Sequence, residues 1–319
     1  DARVFWVKPS VEFLEKYLRA NHYDVLVTTG PPHSLHLIGL NLKKKLPDLK
    51  WIADFRDPWT EISYYKHLKL TKIADKKHRK LESEVFKNAD ITLATSYTDA
   101  ENFRKKGANA FCITNGFDVD ASTTLSMTEE NSKTLPLSNS TTKFTLSYIG
   151  VLEQLRNPEI LWETLNDLVQ ENADFKNDFE LKFVGKLDDK ILQKIESSPL
   201  KNNLTNLGYQ THDVALKHMQ DSSVLLITNF PQESSKGIIP GKIFEYLATG
   251  KTILSFGPKD ADVEKILIET KAGKHFGYDE KENLKKFILE SYENWKSGTL
   301  NQNAENIEQF SRKNLTQKL

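Results

Sequence analysis

Short apolar runs of strand length recur along the first third of the chain: DVLVTT (24–29), KWIADF (50–55), ITLAT (91–95) and AFCIT (110–114). They are almost continuously apolar rather than alternating, as expected of strands covered by helices on both faces. Helical spacing fills the gaps between them. In PSVEFLEKYLRAN, residues Val11, Leu14, Tyr17 and Leu18 share one stripe. A second helix is predicted to begin near His33–Ser34 and to end before Pro47, and a third to cover roughly Thr71 to Lys87. Strands that alternate with helices predict a parallel sheet with right-handed crossovers.

After TNGFDVD (114–120) the pattern fades. Residues 121–142, ASTTLSMTEENSKTLPLSNSTT, are rich in Ser and Thr and are expected to form a long interdomain loop. The alternation then restarts with KFTLSYIG (143–150), a helix from Pro158, ELKFVG (180–185), a short helix, NLTNLG (203–208), a helix across Asp213–Met219 and SVLLIT (223–228). A helix in IIPGKIFEYLATG, opened by Pro240 and stopped by Gly250, and the strand TILSFG (252–257) close the series. The expected division is an α/β domain at 1–120, the loop at 121–142, a second α/β domain at 143–300, and a helical tail at 301–319. Two doubly wound units imply a cleft between them, with ligands at the carboxyl ends of strands.

Composition narrows the function. The 319 residues carry 44 basic and 44 acidic side chains, so bulk charge argues against a nucleic-acid binder. The charge is uneven, however: Lys66 to Lys80 holds seven basic residues against one acid, Asp75. That run reads either as a solvated helix face or as a patch for an anionic membrane surface or a phosphorylated substrate. The single cysteine, Cys112, sits in a predicted strand as a small apolar filler and fits a reducing compartment. No run of 18 apolar residues is present. A cytoplasmic protein, peripheral at the inner membrane face, is the expectation. The chain opens on Asp1, and further residues are expected upstream of it.

Neither GxGxxG nor GxxxxGK[ST] occurs. Three strand-to-helix loops carry the candidate chemistry instead. In YIGVLEQLRNPEIL (148–161), Asn157 is expected to cap a helix with Pro158 at its first position. The free N–H groups of that helix and Arg156 at its mouth would suit an anion. The alternative is a surface pair of Arg156 with Glu153 or Glu159. Lys186, after Gly185, follows the neighbouring strand, and with Arg156 it would grip one diphosphate; alone it is also a common solvated lysine. In the third loop, Glu245 suits the two hydroxyls of a ribose, and Lys242 or Lys236 suits phosphate. The alternative there is an i,i+3 salt bridge from Lys242 to Glu245 worth ~0.2–0.5 kcal/mol.

TTGPPHSLHLIGL (28–40), WIADFRDPWT (51–60), the YIG…RNPE segment and PGKIFEYLATGKTIL (240–254), with NGFD (115–118), resemble the retaining glycosyltransferases of GT-B type, in particular the family-four-like enzymes of bacterial polysaccharide assembly. The resemblance implies two Rossmann-like domains facing across a cleft, the first incomplete in this chain because the family begins it with a strand, a glycine loop and a long helix. It implies a hexose moved from a UDP- or GDP-sugar to the hydroxyl of a glycan or lipid-linked acceptor, with retention. No metal or other cofactor is expected, because cations and helix dipoles would serve the leaving diphosphate and no DxD-like ligand pair is evident, FRD (55–57) being a poor match. The resemblance places Glu245 on the ribose, Arg156 and Lys186 on the pyrophosphate, His33 beside the transferred sugar, and Asp54, Arg56 and Asp57 on the acceptor side. It also implies that the terminal helix packs back on the first domain. The family's first donor-motif glutamate falls here on Gly237, and Glu233, twelve residues before Glu245, is the candidate to replace it.

Local alternatives accompany these assignments. His33 also reads as a cap or packing residue, and His36 lies one turn on. Asp57 before Pro58 also shapes a turn, with Arg56 paired to it. Trp51, Trp59, Tyr64 and Tyr65 read by default as packing residues. A sugar-nucleotide epimerase on the same scaffold and a non-catalytic nucleotide-sugar binding module are the competing functions.

Overall fold

The computed structural model describes residues 2–62, 65–118, 143–301 and 304–319. The expected loop at 121–142 and Tyr64 lie outside them. The chain divides into two compact units, Asp1–Thr114 with Lys318–Leu319, and Asn115–Gln317.

In the first unit, strands β1 (Val25–Gly30), β2 (Lys50–Phe55), β3 (Ile91–Ala94) and β4 (Ala110–Cys112) form one parallel sheet in the order β1-β2-β3-β4. Helices α1 (Val7–Ala20), α2 (Ser34–Lys45), α3 (Lys72–Asn88) and α4 (Tyr97–Lys105) connect or flank the strands. Thr71 caps α3 by accepting from the Ala74 N–H at 3.2 Å. Trp51, Phe55, Phe86 and Phe103 fill the core between sheet and helices. Three of the four residues on the predicted α1 stripe face inward, but Tyr17 is turned out. It stacks on Phe13, and its hydroxyl meets that of Tyr23 at 3.0 Å. Tyrosine tolerates this because only its ring, not its hydroxyl, gains from burial.

The second unit is a six-stranded parallel sheet built from β5 (Phe144–Ile149), β6 (Phe179–Val184), β7 (Leu204–Asn206), β8 (Val224–Thr228), β9 (Thr252–Phe256) and β10 (Gly273–Phe276). Every residue of β5 and of β8 is buried, which is why both read as unbroken apolar runs. Helices α5 (Glu159–Glu171), α6 (Ala173–Asp178), α7 (Asp189–Glu196), α8 (His212–Gln220), α9 (Lys242–Thr249), α10 (Asp262–Thr270), α11 (Lys281–Lys296) and α12 (Arg312–Lys318) complete the unit. The strand order is β10-β9-β8-β5-β6-β7. Counted from the first strand of the unit this is 3-2-1-4-5-6, the dinucleotide-fold order. The order reverses between β5 and β8, so a crevice opens outside their carboxyl ends.

Two local expectations differ from the structure. Asn157 does not cap α5. Its carboxamide oxygen accepts the indole N–H of buried Trp162 at 2.6 Å, and Pro158 takes the cap position. Burial of an indole that needs an acceptor has captured the side chain. Helix α9 begins at Lys242 with Gly241 as its cap, two residues after Pro240, and ends as expected on left-handed Gly250 (φ 66°). Among the described residues of the tail, helix is found at α12 and in a 3-10 turn at Ile307–Phe310. Phe117 and Ser311 form a parallel bridge, and Phe310 packs on Phe244 of α9.

Candidate functional site

The crevice of the second unit is made by the loops after β5, β6 and β8. Gly150 and Gly185 end β5 and β6 at φ of +119° and +125°, a region that side chains rarely enter. A Cβ on Gly185 would lie 2.1 Å from the Gly150 carbonyl oxygen, so the two backbones pass too closely for any other residue. Beyond them the loops are stitched together: the Leu152 N–H donates to the Lys186 carbonyl at 2.9 Å, and the Asp188 N–H to the Leu152 carbonyl at 3.0 Å.

Lys242, at the start of α9, reaches into this junction. Its ammonium donates to the Ile149 carbonyl at 2.7 Å and lies 4.1 Å from the centre of the Tyr148 ring. Burial first, and then the Arg156 charge, lower its pKa from 10.5 to about 7, with Glu245 opposing the shift. The Lys242–Glu245 salt bridge considered from the sequence does not form, because the ammonium turns inward to the sheet end. Glu245 is half-buried, one turn further along α9, and acts on Lys242 only through its charge.

Arg156 stands at the other side of the junction. Its guanidinium donates to the Val151 carbonyl at 3.1 Å and to Glu153 at 3.4 Å, and lies 5.5 Å from the centre of the Phe230 ring. Its Nε is buried without a hydrogen-bond partner. The pairing with Glu153 is thus real but long, whereas Glu159 pairs with Lys194. Tyr148 and Tyr278 complete the wall. Tyr278 donates to the Asn229 carbonyl, and burial raises the pKa of both phenols. Lys186 is exposed on its stitched loop and makes no ion pair among the described residues. Glu233 is ion-paired with Lys236 at 2.7 Å on a 3-10 turn of the β8 loop, with its carboxylate side chain 77% exposed.

In the first unit, His33, Asp54, Arg56 and Asp57 all lie at the carboxyl end of the sheet. Arg56 is not paired with Asp57 among the described residues; its guanidinium donates to the Pro31 carbonyl at 3.3 Å, and its own backbone N–H to Gly30. The strand-end backbone has drawn it away from the turn. Asp54 accepts from the Thr29 hydroxyl at 2.8 Å, and Asp57 is exposed.

His36 is buried and His33 half-buried at that end. His33 stacks on Trp59 and on Phe55, with centroids 5.4 and 5.6 Å apart. Neither of its ring nitrogens makes a hydrogen bond of good geometry. Burial lowers its pKa to about 4, against a small opposing pull from the Pro58 carbonyl. His36 is fully buried, shares a 2.9 Å hydrogen bond with Thr28, and is lowered by burial and by His33 to about 3. Thr28 also accepts from the Trp51 indole. His36 and Trp51 are therefore interior packing residues, while His33 is a neutral imidazole with hydrogen-bonding capacity to spare.

The sequence did not single out Tyr148, Phe230 or Tyr278. Tyr148 is hidden in an apolar run, and only its place two residues before Gly150 marks it.

No protein-family model matches the chain, and neither does any curated protein sequence. Solved structures do match. A glycosyltransferase from Rickettsia africae ESF-5 is similar with TM-score 0.62 at 14% identity, over 98% of this chain and 79% of that one. Alr3699/HepE of Anabaena, solved in complex with UDP and glucose, is similar with TM-score 0.58 at 14% identity, over 97% of this chain and 80% of that one. A putative UDP-N-acetylglucosamine 2-epimerase from Listeria monocytogenes gives TM-score 0.52 at 15% identity, over 98% and 77%. At such identities the likeness shows the fold alone, and that fold is the GT-B type, an α/β chain of two Rossmann-like units.

Proposed function

We propose that the chain is a glycosyltransferase that moves a hexose from a UDP- or GDP-sugar to an acceptor hydroxyl. One observation carries the reading: Lys242, held on the Ile149 carbonyl, and Arg156, close enough for its charge to act on that ammonium, stand by the end of β5, where the strand order of the second sheet reverses and where such sheets take nucleotides. A cation costs free energy to bury without a counter-charge, so a site that keeps one buried is built for an anion. The leaving diphosphate supplies that charge.

In this reading Arg156, Lys186 and Lys242 hold the diphosphate and stabilise the negative charge that builds on it as the sugar departs. They meet that charge without a metal ion. Glu245 accepts hydrogen bonds from the ribose hydroxyls. Glu233, once released from Lys236, faces the donor sugar. His33, neutral at physiological pH, hydrogen-bonds at the transferred sugar, and Asp54, Arg56 and Asp57 contact the acceptor. The acceptor attacks the face that the diphosphate leaves, which gives retention, and the product belongs to polysaccharide or glycolipid assembly. The UDP in the Anabaena structure supports a uridine donor. The exposed basic residues Lys69, Lys72, Lys76 and Lys80, with Ile73 82% exposed among them, support contact with anionic lipid. No helix among the described residues is long and apolar enough to cross a membrane.

The test is calorimetric titration of the full chain with UDP, GDP and their sugars, followed by sugar-release assays with and without acceptor glycans. Saturable nucleoside diphosphate binding with acceptor-dependent release is expected. Donor turnover without an acceptor would favour the epimerase reading that the Listeria structure supports. Binding with no turnover would favour a binding module.

A further inference from the structure

A pocket of about 550 Å³ opens in the first unit, bounded by α2, α3 and the segment that follows β2. Its volume lies in the range of small-molecule sites. Its wall is chiefly hydrocarbon and aromatic: Pro32, Leu37, Trp59, Ile62, Leu68 and Leu81 all line it. Two of the polar groups on the wall are bonded to each other. The Tyr65 hydroxyl donates to Asp75 at 3.1 Å and meets the His78 Nδ1 at 3.2 Å. Both ring nitrogens of His33, on the same wall, are buried without a hydrogen-bond partner. A sugar ring buried here would leave many of its hydroxyls unpaired, which costs free energy for each one buried. A hydrocarbon chain would leave none.

Lys77 lines the pocket, and no carboxylate is among the described lining residues. Asp75, which accepts from the Tyr65 hydroxyl, is ion-paired with Arg79. An occupant that is apolar along its length and anionic at one end fits both features.

We propose that this pocket binds the single hydrocarbon chain of a lipid phosphate, with the phosphate at Lys77 and the hydroxyl or head group to be modified towards His33. The inference deepens the acceptor-side reading of the first unit and rests on it for its place in the reaction: it selects a lipid-linked acceptor over a free glycan. Binding of the chain itself does not depend on the donor site.

The experiment is calorimetric titration of the full chain with dodecyl phosphate below its micelle concentration, with inorganic phosphate and dodecyl maltoside as controls and UDP as a probe of the other unit. Saturable one-to-one binding of dodecyl phosphate is expected, at least tenfold tighter than the neutral detergent, with none for inorganic phosphate. Ala74→Phe, which fills the pocket from α3, is expected to weaken it at least tenfold and to leave UDP binding within twofold. Leu68→Asp, at a site 49% exposed and so safe for folding, is expected to do the same. Lys77→Ala is expected to erase the preference over the maltoside. The proposal is overturned by no saturable binding, by equal binding in both folded pocket variants, or by attachment to anionic vesicles with no binding of the monomeric phosphate. Dodecyl phosphate binding without UDP binding would sink the donor-site reading and leave the pocket standing. UDP binding without dodecyl phosphate binding would do the reverse.

Discussion

The ammonium of Lys242 donates to the Ile149 carbonyl at 2.7 Å, across 93 residues of sequence. That single bond ties the start of α9 to the end of β5 and holds a cation where the sheet order reverses. Its lowered pKa has a consequence for binding. With a pKa of about 7 in the free protein, Lys242 loses its proton as pH rises through neutrality. A bound diphosphate favours the charged form, so binding takes up a proton. Affinity for UDP is expected to fall about tenfold or more between pH 6.5 and 8.5. Calorimetry in buffers of different ionisation enthalpy reads the proton uptake directly. Lys242→Arg, charged throughout, should flatten the profile, and an unchanged slope in that variant would place the titrating group elsewhere.

Arg156 and Glu245 are expected to separate by ligand. Arg156→Ala should weaken UDP and pyrophosphate alike, by about 1.5–3 kcal/mol, the scale of a hydrogen bond to a charged group. Glu245→Ala should weaken UDP and spare pyrophosphate. Equal losses for both ligands in the Glu245 variant would contradict a ribose contact.

The buried histidines set an acid limit. His33 and His36 are lowered from 6.5 to about 4 and about 3. The unfolded chain therefore binds protons that the folded one refuses. Stability is full above about 6.5 and is lost as pH falls towards those folded values. At pH 5 the cost is about 2 kcal/mol for each histidine. Proton resonances of the two imidazoles should stay those of neutral rings down to pH 5, and denaturant midpoints should fall over the same interval.

Gly185→Ala tests the stitched loops. The new Cβ would meet the Gly150 carbonyl oxygen at 2.1 Å, on a backbone at φ +125°. A loss of about 2 kcal/mol or more is expected, with weakened UDP binding because Lys186 and Arg156 ride on the displaced loops. A stable variant with normal affinity would show that the close approach does not position the site.

β5 and β8 were legible because every residue in them is buried, so each appears as a local apolar run. β1 departs from the expected cover on both faces: Val25 and Val27 are exposed on one face, and the strand was legible from its apolar residues alone. Helix limits such as Thr71 and Gly250 were legible because caps are set by one or two residues. Strand β10 and helices α10 and α11 were not predicted; β10, GKHF, is too short and too polar to stand out. Candidate cations could be picked by their place after strands, and Glu153 as a partner of Arg156, yet most side-chain partners could not. Asn157 went to Trp162, Arg56 to Pro31, and Lys242 to the sheet rather than to Glu245 three residues away.

The sequence by itself determined most of the elements, their alternation and the parallel sheets they build, because burial and periodicity act over a few residues. Only the tertiary structure decided which lysine is buried, which guanidinium nitrogen is left unpaired and which wall of the first unit is apolar. Those outcomes depend on the desolvation of one side chain by groups far along the chain, and no local pattern encodes that distance.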